Sequence, residues 1–198
     1  MCVVVGAGTG LGVAWLSWQD DSYAVHPSEG GHMDFAPANA IQYELLQYLQ
    51  RRHGHVSYER IISGPGLVAI FEFLRDTGRG TPSVQLIAAM GGEDAAAAIT
   101  RFAQQGDEPT ACMTMDLFLR IYGAFAGNVA LATLPRGGVY VAGGIAAKIA
   151  ATMQQGVFLH SFLNKGRFAR LLETLPLHIV TNPQAGLLGA GLNAQRMV

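Results

Sequence analysis

A chain of 198 residues is long enough for one domain with a real core, burying roughly 70% of the surface its unfolded form exposes. Half of the residues are hydrophobic and 14% are charged, which excludes a disordered chain. The net charge is −1 and the 13 basic residues are scattered, so there is no basic stripe for nucleic acid, and no apolar run approaches the ~20 residues needed to cross a bilayer.

In chain order, residues 2–5 form a short β-branched apolar run, expected to be a buried strand. Met1-Cys2-Val3-Val4-Val5 lacks the basic start of a signal peptide, so a cytoplasmic protein is expected. Cys2 and Cys112 match no metal-ligand spacing and are read as free thiols of a reducing compartment. Residues 13–18 make a second strand, and the polar turn Asp20-Asp21-Ser22 returns residues 23–26 as a third. Ile41, Leu45, Leu46 and Leu49 share one helical face over residues 41–52, with Gly54 as the stop. Gly64-Pro65-Gly66 is a turn signal, after which residues 67–76 are helical. The segment 78–82 is a loop, and residues 83–105 form one or two helices with a break near Gly91-Gly92.

Asp107-Glu108-Pro109 opens a long helix, running to about residue 134, with its acids at the positive end of the dipole. Its buried stripe is Met115, Phe118, Leu119, Tyr122, Phe125, Ala126 and Val129. Residues 139–142 then form a buried strand that enters a helix through Gly143-Gly144-Ile145. Residues 177–180 form a last strand and 184–196 a closing helix. An antiparallel start followed by alternating strands and helices predicts an α/β mixed sheet with a helical insert, in a single domain over 1–198.

Two glycine loops and one polar cluster carry the chemistry. Gly8-Thr9-Gly10, between two strands, is either a tight hairpin or a loop that turns N–H groups and the Thr9 hydroxyl toward an anion. It is neither a Walker loop nor a dinucleotide fingerprint, because no Gly-Lys-Ser/Thr follows and the next element is a strand. Gly143 and Gly144 let a ligand lie against a helix start. The two loops together suggest a nucleotide cleft. Glu29 and His32 sit around Gly30-Gly31; a carboxylate accepts hydroxyl protons, and a neutral imidazole both donates and accepts. Glu59 is either another such acid or a solvated helix-start residue. No second histidine stands at ligand spacing, so no protein-held metal is expected. His26, His53, His160 and His178 are read as surface or packing residues.

These residues resemble a known family. Gly6-Ala7-Gly8-Thr9-Gly10-Leu11-Gly12, Glu29-Gly30-Gly31-His32-Met33-Asp34-Phe35-Ala36-Pro37 and Ser57-Tyr58-Glu59-Arg60-Ile61-Ile62-Ser63-Gly64-Pro65-Gly66-Leu67 are similar to segments of the bacterial ATP-dependent glucokinases. Gly127-Asn128-Val129-Ala130-Leu131, Gly138-Val139-Tyr140-Val141-Ala142-Gly143-Gly144-Ile145, Asn164-Lys165-Gly166-Arg167-Phe168 and Asn182-Pro183-Gln184-Ala185-Gly186-Leu187-Leu188-Gly189 extend the likeness over essentially the whole chain. It implies a ribonuclease-H-like core of the actin and hexokinase superfamily. It also implies transfer of the γ-phosphoryl of ATP, with Mg²⁺, to the 6-hydroxyl of D-glucose. By that likeness Gly8, Thr9 and Gly10 form the second phosphate loop, Gly143 and Gly144 the adenosine loop, and Glu29, His32 and Glu59 the glucose ligands. The absence of a cysteine cluster after His32 separates the chain from the sister family of repressors and sugar kinases.

The resemblance also implies a small N-terminal domain, with an Asp-x-Gly-Gly-Thr loop and an Asn-Asp pair whose aspartate is the general base. Neither motif occurs in the 198 residues. The chain is therefore expected to be the large C-terminal domain, with no catalytic residue of its own and little activity alone. A homodimer is the assembly the family implies. The alternatives are a non-catalytic sugar-binding or regulatory module of the same fold, and a dimerisation domain.

Overall fold

The computed structural model describes residues 1–195. β1 (Cys2–Ala7), β2 (Leu11–Gln19) and β3 (Ser22–Ser28) form an antiparallel meander, as expected, and β4 (Val139–Ala142) and β5 (Leu177–Ile179) add in parallel on the other side of β1. The order β3-β2-β1-β4-β5, with only β2 running against the rest, is the ribonuclease-H-like mixed sheet that the resemblance implied. β1 is central, paired on both edges; its Val3, Val5 and Ala7 share one face and are fully buried, and Cys2 on the other face is buried too. The β2–β3 turn places Asp20 and Asp21 at φ 47° and 58°, a left-handed pair that short acidic side chains tolerate. Pro27 is accommodated because β3 is an edge strand.

The helices are α1 (Ala40–His53), α2 (Gly64–Asp76), α3 (Val84–Gly92), α4 (Ala95–Gln105), α5 (Pro109–Thr133), α6 (Gly143–Lys148), α7 (Ala150–Met153), α8 (Val157–Leu163), α9 (Ala169–Glu173) and α10 (Ala185–Gln195). The whole expected stripe of α5, from Met115 to Val129, is buried. Its Tyr122 hydroxyl donates to the Val5 carbonyl over 3.1 Å, which ties the longest helix to the central strand. Burial pushes the Tyr122 phenol well above the usual tyrosine range, so it stays a neutral donor.

Three expectations need correction. Gly64-Pro65-Gly66 is the first turn of α2, not a separate turn. Ser63 accepts the Gly66 N–H, and proline fits at the helix start because its missing N–H is not needed there. The break between α3 and α4 falls at Glu93-Asp94, two residues after the expected place, because the Asp94 carboxylate accepts the N–H groups of Ala96 and Ala97. Helices α7 to α9 have no counterpart in the expected elements; each is seven residues or fewer, too short to show a periodicity. The last helix forms, with Arg196 of the expected range outside the described residues. Every residue of α10 is exposed, with Leu187 at 76% and Leu192 at 61%.

No helix among the described residues is long and apolar enough to cross a membrane. Replacing Tyr122 by Phe keeps the packing and removes the bond to Val5. The expected loss is about 1 kcal/mol of stability, read from urea unfolding; an unchanged midpoint would show that the bond carries no net weight.

Candidate active site

The site is built around the turn from β1 to β2. Inside it the Gly8 N–H donates to the Gly10 carbonyl over 2.8 Å. The Gly8 N–H is therefore spent within the loop. The Gly8 carbonyl accepts the Gly64 N–H over 2.8 Å, which docks the start of α2 on the loop. Gly143 sits at φ +92°, and a Cβ there would lie 2.2 Å from the Ala7 carbonyl oxygen. Only glycine allows that approach, so the second loop is pressed against the end of β1.

On the α4 side of this turn lies a cleft of about 860 Å³. Gly8, Thr9, Gly64 and Pro65 form one wall; Gly144, Ile145, Lys148 and Ile149 form another; α4 closes it with Ala97, Thr100, Arg101 and Gln104. The Gln104 side-chain amide donates to the Lys148 carbonyl over 2.9 Å and holds α4 against α6. Apolar Val68, Ile145 and Ile149 suit a flat ring, and Lys148 and Arg101 bring positive charge, although Arg101 already pairs with Glu93. The volume is that of a site for a nucleotide-sized ligand. The two glycine loops expected to share a cleft do so through Gly8, Thr9 and Gly144; Gly10 and Gly143 are not part of its lining.

The polar cluster lies beyond Gly10. Glu29 precedes and His32 ends a 3₁₀ turn, Gly30–His32, whose start is held by the Ser28 hydroxyl accepting the Gly30 N–H over 2.8 Å. A Cβ on Gly31 would come 2.0 Å from the Leu11 carbonyl oxygen, so this turn rests on the backbone of Leu11. Glu59 lies in a second 3₁₀ turn, Tyr58–Arg60. That turn is fastened to the first: the Tyr58 N–H donates to Met33 and the Phe35 N–H to Val56, each over 3.0 Å.

Glu59 reaches back across the glycine loop. Its Oε2 accepts the Leu11 N–H over 2.9 Å, and a Cβ on Gly10 would lie 2.6 Å from that oxygen. Its Oε1 stands 3.7 Å from His32 Nε2, which is 3.9 Å from Glu29 Oε2. These are ion-pair separations rather than hydrogen bonds. The three side chains thus lie side by side without hydrogen-bonding one another. Glu59 is 31% exposed, against 58% for His32 and 92% for Glu29. Glu59 stands at the start of its 3₁₀ turn, and its carboxylate is bonded to the Leu11 backbone rather than fully solvated.

Behind the cluster, Tyr58 is buried between Phe35 and Phe125, with ring centroids 5.6 and 4.5 Å away. Its hydroxyl accepts the Asn128 amide over 3.1 Å, and Asn128 Oδ1 accepts Lys165 Nζ over 2.6 Å. Burial lowers the Lys165 pKa from its ordinary value. The sequence pattern did not single out this support, although an asparagine beside the apolar stripe of α5 was a usable signal. Of the histidines read as surface or packing residues, His26 bonds Ser17 over 2.8 Å and His178 stacks on Tyr140.

The family model described as Glucokinase matches residues 1–197. The glucokinase of Trichormus variabilis (strain ATCC 29413 / PCC 7937) is 45% identical over 98% of this chain and 60% of its own length. The chain thus spans about 60% of the length of these curated relatives. Among solved structures, the glucokinase of an Antarctic psychrotroph superposes with a TM-score of 0.81 at 30% identity, covering 96% of this chain and 56% of that one. The glucokinase of Balamuthia mandrillaris, solved in complex with glucose, gives 0.76 at 26%, covering 92% and 50%. Matched along nearly its whole length in sequence and in fold, the chain belongs to the glucokinase family.

Proposed function

We propose that this chain is the large domain of an ATP-dependent glucokinase, which binds D-glucose on Glu29, His32 and Glu59 and the phosphates of ATP on Gly8, Thr9 and Gly10. The observation that carries the reading is the double contact of Glu59, with one oxygen on the Leu11 N–H beside the glycine loop and the other facing His32. A sugar hydroxyl held by Glu59 would stand next to a phosphate held by that loop. Proximity of this kind, with fixed donors, is most of what phosphoryl transfer asks of a protein. A sugar lacking the right hydroxyl would leave the acid unmatched, which supplies selectivity.

The cleft lined by Gly144, Ile145 and α4 would take the adenosine, with apolar side chains against the base. Magnesium enters as an ion carried by the nucleotide phosphates, the usual manner for this ion. The described residues bring no three His, Cys, Asp or Glu together to cage it. The general base and the first phosphate loop belong, in this proposal, to a further domain of the protein. The shorter span relative to the relatives and the exposed leucines of α10 support that part of the reading. Homodimer formation and a cytoplasmic location are proposed from the family alone.

Three outcomes follow from this reading. Glu59→Gln should weaken glucose by about 1.5–3 kcal/mol, or roughly 10- to 150-fold, through loss of a charged acceptor; equal affinity in calorimetry would remove Glu59 from the site. A Cβ on Gly144 would meet open space. Gly144→Val should therefore leave the unfolding midpoint in place and weaken a non-hydrolysable ATP analogue about tenfold or more by filling the cleft; unaltered nucleotide affinity would contradict the assignment. In a coupled assay with ATP, Mg²⁺ and glucose, the chain alone should show little turnover, and an ordinary enzyme rate would place the base within these residues.

A further inference from the structure

Lys165 lies outside both the cleft and the polar cluster, yet it is held more tightly than a surface lysine. Its ammonium donates to the Ala124 carbonyl over 2.9 Å and to Asn128 Oδ1 over 2.6 Å, both on α5. It reaches them by crossing Gly127, where a Cβ would lie 2.7 Å from Lys165 Cε. An ammonium has donors only, so it fixes which end of the Asn128 amide faces it. The oxygen must point to Lys165, and the NH₂ must then point to the Tyr58 hydroxyl, 3.1 Å away. Tyr58 is the hinge of the polar cluster. Its N–H holds the Met33 carbonyl at the end of the His32 turn, and its own carbonyl accepts Ile61 and Ile62 to close the Glu59 turn.

We propose that Lys165 is a positioning residue for the sugar site, orienting Asn128 and through it Tyr58, so that Glu59 and His32 face the same space. This rests on the reading of Glu29, His32 and Glu59 as sugar ligands. Lys165 touches none of them and moves no proton. It sets the amide that sets the ring from which both turns hang. A lysine serving only to join α5 to the chain after α8 would have no effect that is selective for those turns.

The test is amide hydrogen exchange on the protein carrying Lys165→Met or Asn128→Leu. The Leu variant leaves the ammonium its bond to the Ala124 carbonyl and removes every hydrogen bond to the Tyr58 hydroxyl from position 128, so it remains informative if Lys165→Met does not fold. Both variants should speed exchange of the Leu11 N–H, which Glu59 holds, and of the Tyr58 N–H by about tenfold relative to β1 amides such as Val5. Glucose affinity should fall several-fold, with affinity for the ATP analogue unchanged. Unchanged exchange at Leu11 and Tyr58, or equal acceleration throughout β1, would overturn the proposal. If the parent protein binds no glucose, the sugar assignment fails, while the exchange rates still decide whether Lys165 sets these turns.

Discussion

The backbone of five residues, from Ala7 to Leu11, is the constraint on which the rest of the site depends. Four separate segments approach it at backbone distance: Gly143 at Ala7, Gly64 at Gly8, Glu59 at the Leu11 N–H and Gly31 at the Leu11 carbonyl. Each approach uses either a missing side chain or a directed hydrogen bond. Close packing of this kind leaves little freedom, since a Cβ at Gly31 or Gly143 would have to displace main chain rather than a side-chain tip. The strand beneath is itself fixed, paired on both edges and bonded from behind by Tyr122.

This arrangement brings two chemically different surfaces to one short turn. On one side are an apolar-walled cleft, two glycine loops and two basic side chains. On the other are two carboxylates and an imidazole with unspent hydrogen-bonding capacity. Glu59 belongs to both, because the oxygen that anchors it is held by the residue next to the glycine loop. A movement of the loop would therefore move the Glu59 carboxylate, and on the proposed reading that would link the nucleotide and sugar sides of the turn.

Much of the fold was legible from periodicity. The apolar run of β1, the Asp20-Asp21 turn and the long stripe of α5 each have one physical reading, and the structure has those elements. The Gly64-Pro65-Gly66 segment was misread because glycine and proline signal both a turn and a helix start, and only the Ser63 cap decides. The site was legible only in part. Glu29 and His32 are three residues apart, so local spacing could join them, but Glu59 meets Leu11 across 48 residues, and composition alone left it between two readings. Resemblance to a family, rather than any local pattern, selected it. The Lys165–Asn128–Tyr58 support was harder still, because its links span 37 and 70 residues. Only a folded chain brings them together.

The most direct test of the central claim is a glucose titration followed by the backbone amide resonances of the ¹⁵N-labelled protein. The account predicts saturable shifts at Gly10, Leu11, Gly31 and His32, with residues of the cleft such as Gly144 moving mainly when the ATP analogue is added. Saturable shifts confined to other parts of the surface, or none up to tens of millimolar glucose (about the weakest range of specific binding), would contradict it.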